Sequence, residues 1–292
     1  MREMVVISGK GGTGKTSLVG AFSALARNKV LCDADVDAAD LHLLLQPEIR
    51  RRESFQGGGL AVIDVNRCTG CGLCIELCQW NAISDDFVVD PIACEGCGVC
   101  VHFCPEDAVD FPRQTCGEWY VSETRFGPMV HAGLGIAEEN SGKLVTLVRK
   151  EARNLAEARG LDLIITDGPP GIGCPVIASI GGASAVLVVT EPTVSGEHDL
   201  ERVLQLVKHF RVPAMVLINK SDLNPDMAGV IERKIRELGA VFVGSIPFSK
   251  TFTQAVVQGK TVPELDPNDE SARKVIEIWE EVHNRLASLP SR

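Results

Sequence analysis

The stretch GKGGTGKTS, residues 9–17, limits what this chain can fold into more than any other. It follows the strand-like run MVVISG and opens an amphipathic stretch over 16–27. Gly9, Gly14, Lys15 and Thr16 fit G-x-x-x-x-G-K-[ST]. In such a loop the backbone amides curve around phosphate oxygens, the lysine reaches the β- and γ-phosphates, and the hydroxyl ligates Mg²⁺. The helix behind it turns its positive end toward the anion. A chance glycine-rich turn would not sit between a strand and a helix in this way.

The rest of the chain keeps the same rhythm. KVLCDAD, LDLIITDGP, AVLVVTEP, AMVLINKSD and FVGSIPF read as strands, separated by helix-length stretches such as 197–210 and 226–238. Continuous apolar runs alternating with helices predict a doubly wound, mostly parallel α/β sheet covered on both faces. With 292 residues there is room for one large domain and a smaller one. A formal charge of −10 argues against a general nucleic-acid binder. No apolar run is long enough to predict a spanning helix or stable membrane insertion. MVVISG begins too early to leave room for a signal peptide. Val275, Ile276, Trp279, Val282 and Leu286 have helical spacing, and the acidic face of that stretch favours a core-packing helix over a membrane anchor.

Residues 60–115 break the rhythm and contain an internal repeat. RCTGCGLCIELCQWNAIS is followed 26 residues later by ACEGCGVCVHFCPEDAVD. Cys68, Cys71, Cys74 and Cys78 form C-x₂-C-x₂-C-x₃-C, and Cys94, Cys97, Cys100 and Cys104 repeat it, with Pro105 behind. This is the pattern of bacterial two-cluster ferredoxins, whose fourth cysteine ligates the other cluster. One [4Fe–4S] cluster is thus expected on Cys68, Cys71, Cys74 and Cys104, the other on Cys94, Cys97, Cys100 and Cys78. Gln79 departs from the pattern where the first repeat should have proline. Zinc also binds four cysteines, but rarely in sets so crowded and then repeated. Without a secretory signal, metal ligation is favoured over disulfides and a reducing, cytoplasmic location is expected. The expected division is 1–59 and 116–292 for the larger domain and 60–115 for an inserted one. Hinges are expected at Gly57–Gly59 and near Pro112 to Gly117.

With Lys10 ahead of it, K-G-G-T-G-K-T resembles the deviant phosphate loop of the MinD/ParA ATPases, which include the nitrogenase iron protein. The resemblance runs over essentially the whole chain, as a MinD-superfamily ATPase with an inserted ferredoxin. It implies ATP or ADP with Mg²⁺ held by Gly9, Lys10, Gly11, Gly12, Thr13, Gly14, Lys15, Thr16 and Ser17, with Thr16 on the metal. It also implies a nucleotide-sandwich homodimer in which Lys10 contacts the phosphates bound by the opposite subunit. DADVD, 33–37, resembles the first switch, with Asp35 orienting the attacking water. Asp33 and Asp37 also read as solvated turn residues, Asp37 above all. IITDGPPG, 164–171, resembles the second switch. There Asp167 would hold a Mg²⁺-bound water and Gly171 would sense the γ-phosphate through its backbone. Asn219 and Pro247 match the base pocket. N-K-x-D is also a guanine signature, so Asp222 keeps GTP open beside ATP.

Cys32 reads as core and Cys174 as a structural thiol. Residues 117–143 read as a hairpin and loop, and as a candidate partner surface. Together these features predict an ATPase that times electron transfer, or docking, to a redox partner protein. An iron–sulfur scaffold, a positioning ATPase with structural clusters, and an amidoligase are the alternatives; no glutaminase segment supports the last.

Overall fold

The computed structural model describes residues 1–135 and 141–290. In chain order come β1 (Arg2–Ser8), α1 (Lys15–Leu25), β2 (Lys29–Asp33), α2 (Leu41–Leu45) and β3 (Glu48–Gly59). Next are β4 (Val62–Ile63), α3 (Leu73–Leu77), α4 (Val99–His102), β5 (Val109–Asp110), β6 (Arg113–Thr124) and β7 (Gly127–Leu134). Then follow α5 (Ser141–Arg159), β8 (Leu163–Pro170), α6 (Cys174–Ile180), β9 (Ala185–Thr190), α7 (Val194–His209) and β10 (Ala214–Asn219). The chain closes with α8 (Pro225–Glu237), β11 (Val241–Ile246), α9 (Lys250–Val257), α10 (Val262–Leu265) and α11 (Glu270–Ser288).

Two compact units result: Met1–Arg52 with Trp119–Gly133 and Ser141–Arg292, and Glu53–Glu118 with Leu134–Asn140. The chain therefore crosses between units inside β3 and β6, and again at the end of β7. Gly57–Gly59, expected as a hinge, is the end of β3, and most of the second expected hinge lies in β6. Glycine was a misleading signal there, since neighbouring strands supply the ordering that its backbone lacks.

The strands of the main sheet run β11-β10-β9-β1-β8-β2-β7-β6-β3. Every pairing from β11 to β7 in that order is parallel. Parallel strands all end at one edge, so the loops after β1, β2, β8, β9 and β10 gather there. Along β1, side chains alternate between two cores. Met4 and Val6 join Leu18, Phe22, Leu187, Val275 and Trp279 on one face. Val5 and Ile7 join Val176, Ile180, Val188, Leu200 and Ile231 on the other. Trp279 stacks near Phe22 at 5.2 Å, so α11 packs into the core as its spacing predicts. Among the described residues no helix is long and apolar enough to cross a membrane.

The opposite end of β1 is fixed by charge. Glu3, 4% exposed, accepts from Arg149 at 2.7 and 2.9 Å, Arg153 at 2.6 and 3.0 Å, and the Thr166 hydroxyl at 3.1 Å. Arg149 also donates to the carbonyls of Ala178 and Gly181, closing the C-terminus of α6. In the β6–β7 hairpin, buried His131 stacks on Tyr120 at 4.9 Å, and its Nε2 lies 2.9 Å from the Ser122 hydroxyl.

The second unit repeats itself in the backbone. β4 pairs antiparallel with β5, and Ile83 bridges Val89. Gly70 and Gly72 in the first repeat, and Gly96 and Gly98 in the second, all have φ between 60 and 76°, a left-handed conformation other residues resist. Each pair precedes a short helix, α3 or α4. Arg67 ties the termini of the unit together, bonding Asp64 at 2.8 Å, Asp110 at 2.7 Å and the Asp107 carbonyl at 2.7 Å.

Two predictions follow from this packing. Glu3→Ala leaves the Arg149 charge buried without its carboxylate and should cost about 3–5 kcal/mol in urea unfolding. Arg285→Ala, which breaks an exposed pair with Glu281, should cost under about 1 kcal/mol. The second concerns pH. Burial, with a smaller contribution from His42, pulls the His131 imidazole from 6.5 down to about 4. Between those values the unfolded chain binds the extra proton. The stability due to His131 is therefore present above pH 6.5 and lost as pH falls toward 4, up to a limit of about 3 kcal/mol. Urea titrations from pH 7 to 4.5 should show a shallower decline for His131→Gln than for wild type.

Candidate functional site

Ser8, at the end of β1, begins a loop whose shape depends on glycine. Gly12 and Gly14 have φ of 79 and 88°. A Cβ on Gly14 would also sit 2.4 Å from the Asn219 amide nitrogen. Gly9 packs so closely on α7 that a Cβ would lie 2.4 Å from Asp199 Cβ. The loop thus has its backbone on the ligand side and α7 behind it. A cavity of about 370 Å³ opens there, lined by Ser8, Gly11, Gly12, Thr13, Gly14, Lys15, Thr16, Ser17, Asp35, Ala38, Asp40 and Pro170.

Lys15, on the first turn of α1, is buried against carboxylates from two strand ends. Its Nζ is 2.6 Å from Asp167 Oδ1 and 3.3 Å from Asp35 Oδ2. Burial works to lower the pKa of this ammonium; Asp167, Asp35 and Asp33 outweigh it, and the net shift is upward. Asp35 is pushed up by burial, with Lys15 opposing and Asp167 adding to the rise. Asp33, fully buried, is raised well above the usual range by burial and then by Asp167. It is therefore no solvated turn residue. Its carboxylate accepts the amides of Asp35 at 3.1 Å and Leu41 at 3.3 Å, holding the 33–41 loop at both ends. Asp37 is exposed, as expected.

Asp167, Asp35 and Asp33 crowd one ammonium, and a divalent cation would relieve the repulsion among them. Two buried atoms here, Asp167 Oδ2 and Thr13 Oγ1, have no hydrogen-bond partner. Buried polar atoms without partners are uncommon and point to a missing ligand. The residues present thus fit a Mg²⁺-bound phosphate chain.

A second cavity of about 300 Å³ shares Gly14 and Ser17 with the first. Asn219, Lys220, Phe248, Ser249, Phe252, Thr253 and Val256 complete its lining. Asn219 donates to the Thr13 carbonyl at 2.8 Å, joining this cavity to the phosphate loop. Neither Pro247 nor Asp222 is in the lining. Asp222 instead accepts the Phe248 amide at 2.5 Å and holds that ring's backbone in place. The Gly171 amide is bonded to the Ser8 carbonyl at 2.8 Å, and Pro170 lines the phosphate cavity. Lys10 points away from that cavity's lining, to Glu191 at 2.6 Å. Sequence reasoning missed Asp40, Lys220, Phe248, Phe252 and Glu191. The signal available for Glu191 was its place at the C-terminal end of a parallel strand.

In the second unit the cysteines sort into two sets. One cavity is lined by Cys68, Cys71, Cys74 and Cys104, with Ile63, Phe87, Pro105 and Ala108. The other is lined by Cys78, Cys94, Cys97 and Cys100, with Trp80, Ala82, Ile83 and Phe111. In each, three thiols come from one repeat and the fourth from the other. Backbone amides donate to sulfur from Gly70 to Cys68 at 3.4 Å, Ala82 to Cys78 at 3.4 Å and Ala108 to Cys104 at 3.3 Å. Among the described residues no group of three or more His, Cys, Asp or Glu side chains is gathered as a site for a metal ion. Cys32 is buried in β2, as expected. Cys174, read as a structural thiol, is exposed at the start of α6.

A left-handed glycine loop, a buried lysine at the head of α1 and carboxylates at adjacent parallel strand ends define a P-loop nucleotide-binding protein. The CobQ/CobB/MinD/ParA nucleotide binding domain matches residues 4–262, and the chain belongs to that family. It is 32% identical over 226 residues to an uncharacterized protein of Methanocaldococcus jannaschii, covering 76% of this chain and 79% of that one. It is 24% identical over 168 residues to nitrogenase iron protein 2 of Methanothermococcus thermolithotrophicus, covering 54% and 56%. Its fold matches the septum site-determining protein MinD of Pyrococcus horikoshii, solved with Mg-ADP, at a TM-score of 0.60 and 19% identity, covering 98% and 97%.

Lys15 supplies the buried positive charge facing the phosphate cavity. Lys15→Ala should weaken Mg-ADP binding by roughly ten- to a hundredfold or more in calorimetry, the loss of a charged hydrogen bond. Lys274→Ala, at an exposed Glu277 pair, should leave it unchanged.

Proposed function

We propose that this chain is a homodimeric ATPase carrying two [4Fe–4S] clusters, in which ATP binding and hydrolysis govern electron transfer to a partner or docking on it. The observation that carries this reading is the crossed sorting of cysteines. Order along the chain places four cysteines in each repeat, and the ferredoxin-type spacing calls for an exchange of the fourth. Cys104 lines the first cavity and Cys78 the second, in keeping with that exchange. Apolar walls and amide donors to sulfur suit a cluster with delocalised negative charge. The clusters would supply reversible one-electron storage. The likeness to a nitrogenase iron protein supports a redox role beside a nucleotide site.

In the nucleotide unit, Lys15 and the loop amides would hold the phosphates, Thr16 would hold Mg²⁺, and Asp167 would hold a Mg²⁺-bound water. Asp35, at the cavity wall, orients the attacking water. ATP is favoured over GTP because Asp222, which would pair with guanine, does not line the cavity beside the phosphate loop. The partner fits a positively charged face: residues 53–118 hold eleven carboxylates and two arginines, a formal charge of −9 of the chain's −10. Covalent continuity supports coupling, since β3 starts just beyond the Asp33–Leu41 loop and carries the chain into the cysteine unit.

Protein prepared without oxygen should be brown and contain about eight irons and eight sulfides per chain. Cys78→Ala should damage the cluster of Cys94, Cys97 and Cys100 and spare the other in electron paramagnetic resonance. Stoichiometric zinc without sulfide would overturn the cluster reading. Asp35→Ala should bind ATP normally, slow its hydrolysis and accumulate the dimer in light scattering. Reduction potentials and partner electron-transfer rates that are all unchanged by ADP or a non-hydrolysable ATP analogue would show the clusters to be uncoupled from the nucleotide.

A further inference from the structure

The Lys10 side chain has a complete set of partners within its own chain. An ammonium offers three donors. Here Nζ lies 2.6 Å from Glu191 Oε1, 3.1 Å from Ser195 Oγ and 3.4 Å from Thr193 Oγ1. The three acceptors lie on one short segment between β9 and the first turn of α7. That segment is fixed, because Thr193 caps α7 by accepting the Gly196 amide at 2.9 Å. Glu191 has only 15% of its side chain exposed and holds a second ammonium, Lys220 Nζ, at 3.1 Å. Lys220 in turn donates to the Gly12 carbonyl of the phosphate loop at 2.9 Å. Burial works to raise the Glu191 carboxyl, and the two lysines outweigh it and hold it below its usual range.

We infer that Glu191, Thr193 and Ser195 form a positioning site that stores Lys10 in cis and sets the ATP concentration at which the dimer forms. The inference rests on the proposed sandwich dimer, in which Lys10 serves the opposite subunit's phosphates. Lys10 cannot occupy both places, so every dimer must first empty the cradle. The arrangement makes that exchange feasible. When Lys10 leaves, Glu191 keeps Lys220 and is not left as an unpaired, mostly buried carboxylate. The phosphate loop also keeps its Gly12 contact throughout. Glu191 is then a brake on premature dimerisation, acting through Lys10 and touching no phosphate itself.

Two measurements test this on the full chain. The first is the rate of Lys10 acetylation in nucleotide-free monomer, read by mass spectrometry. Glu191→Gln should speed it roughly two- to fivefold, the scale of one partly exposed ion pair. Ser195→Ala, which does not touch Lys220, should speed it by a smaller factor. The second is light scattering against ATP, with each variant built on Asp35→Ala to prevent turnover. Half-maximal dimerisation should fall to roughly two- to fivefold lower ATP for Glu191→Gln and shift the same way for Ser195→Ala. Unchanged acetylation in both variants would overturn the cradle. Faster acetylation with an unmoved threshold, where the Asp35→Ala parent does dimerise, would overturn the competition. No ATP-dependent dimer in any form would instead remove the sandwich reading, and the competition with it, while acetylation still reports on the cradle.

Discussion

The buried Lys15–Asp167 pair, 2.6 Å long and backed by Asp35, is the interaction on which the nucleotide unit depends. Its members come from α1, β8 and the loop after β2. They meet only because those strands are adjacent and parallel, with Asp33 in register with Asp167 and Val6 opposite Asp167 on the other side. Antiparallel order would send alternate strand ends to opposite edges. The pair is expensive as a source of stability, since desolvating two charges offsets most of their attraction. Its value lies in keeping a cation at the base of a cavity rich in backbone amides.

The same strand is anchored at its other end by a second buried charge group. Glu3 gathers Arg149, Arg153 and Thr166 where β1 begins, and the phosphate loop starts where β1 ends. Between them Met4 to Ile7 are fully buried, alternating between two cores. The strand is therefore fixed electrostatically at one end and by packing along its length. Its free end is left to the glycine loop, whose left-handed residues need a rigid stem to hold them in one shape. Rigidity at the site is thus supplied by residues far from it.

Local signals in the sequence were the easy ones to read. The phosphate loop and the cysteine repeats have their chemistry written into short spacings, and the parallel sheet follows from runs such as AVLVVT. Contacts over long separations were not legible. Glu191 lies 181 residues beyond Lys10, and nothing in TEPTVS marks it as a lysine cradle. The helix Ser141–Arg159 was overlooked although Leu144, Val145, Val148, Ala152 and Ala156 have helical period, because charged residues between them lower its apolar contrast. The glycine run at 57–59 was misread for a different reason. Strand pairing overrides intrinsic propensity, so a flexible triplet can lie in a sheet. Of the 117–143 segment the hairpin was anticipated, while 136–140 lie outside the described residues.

The cysteine unit poses a charge problem of its own. It is already strongly acidic, and thiolates around each cavity would add to that. Burial raises the Cys74 and Cys100 thiols, and neighbouring cysteines in each set oppose their ionisation too. On the proposed reading a metal group would supply the positive charge, assisted by backbone dipoles. The repeat provides those dipoles at equivalent places. Ala82 and Ala108 stand four residues after Cys78 and Cys104, and each donates its amide to that sulfur. Both alanines are about 1% exposed and line the cavities themselves. Their burial leaves little room for a larger side chain at either place. A small buried residue thus presents its amide to sulfur in both halves, so the 26-residue repeat preserves the electrostatics of each cavity as well as its cysteines.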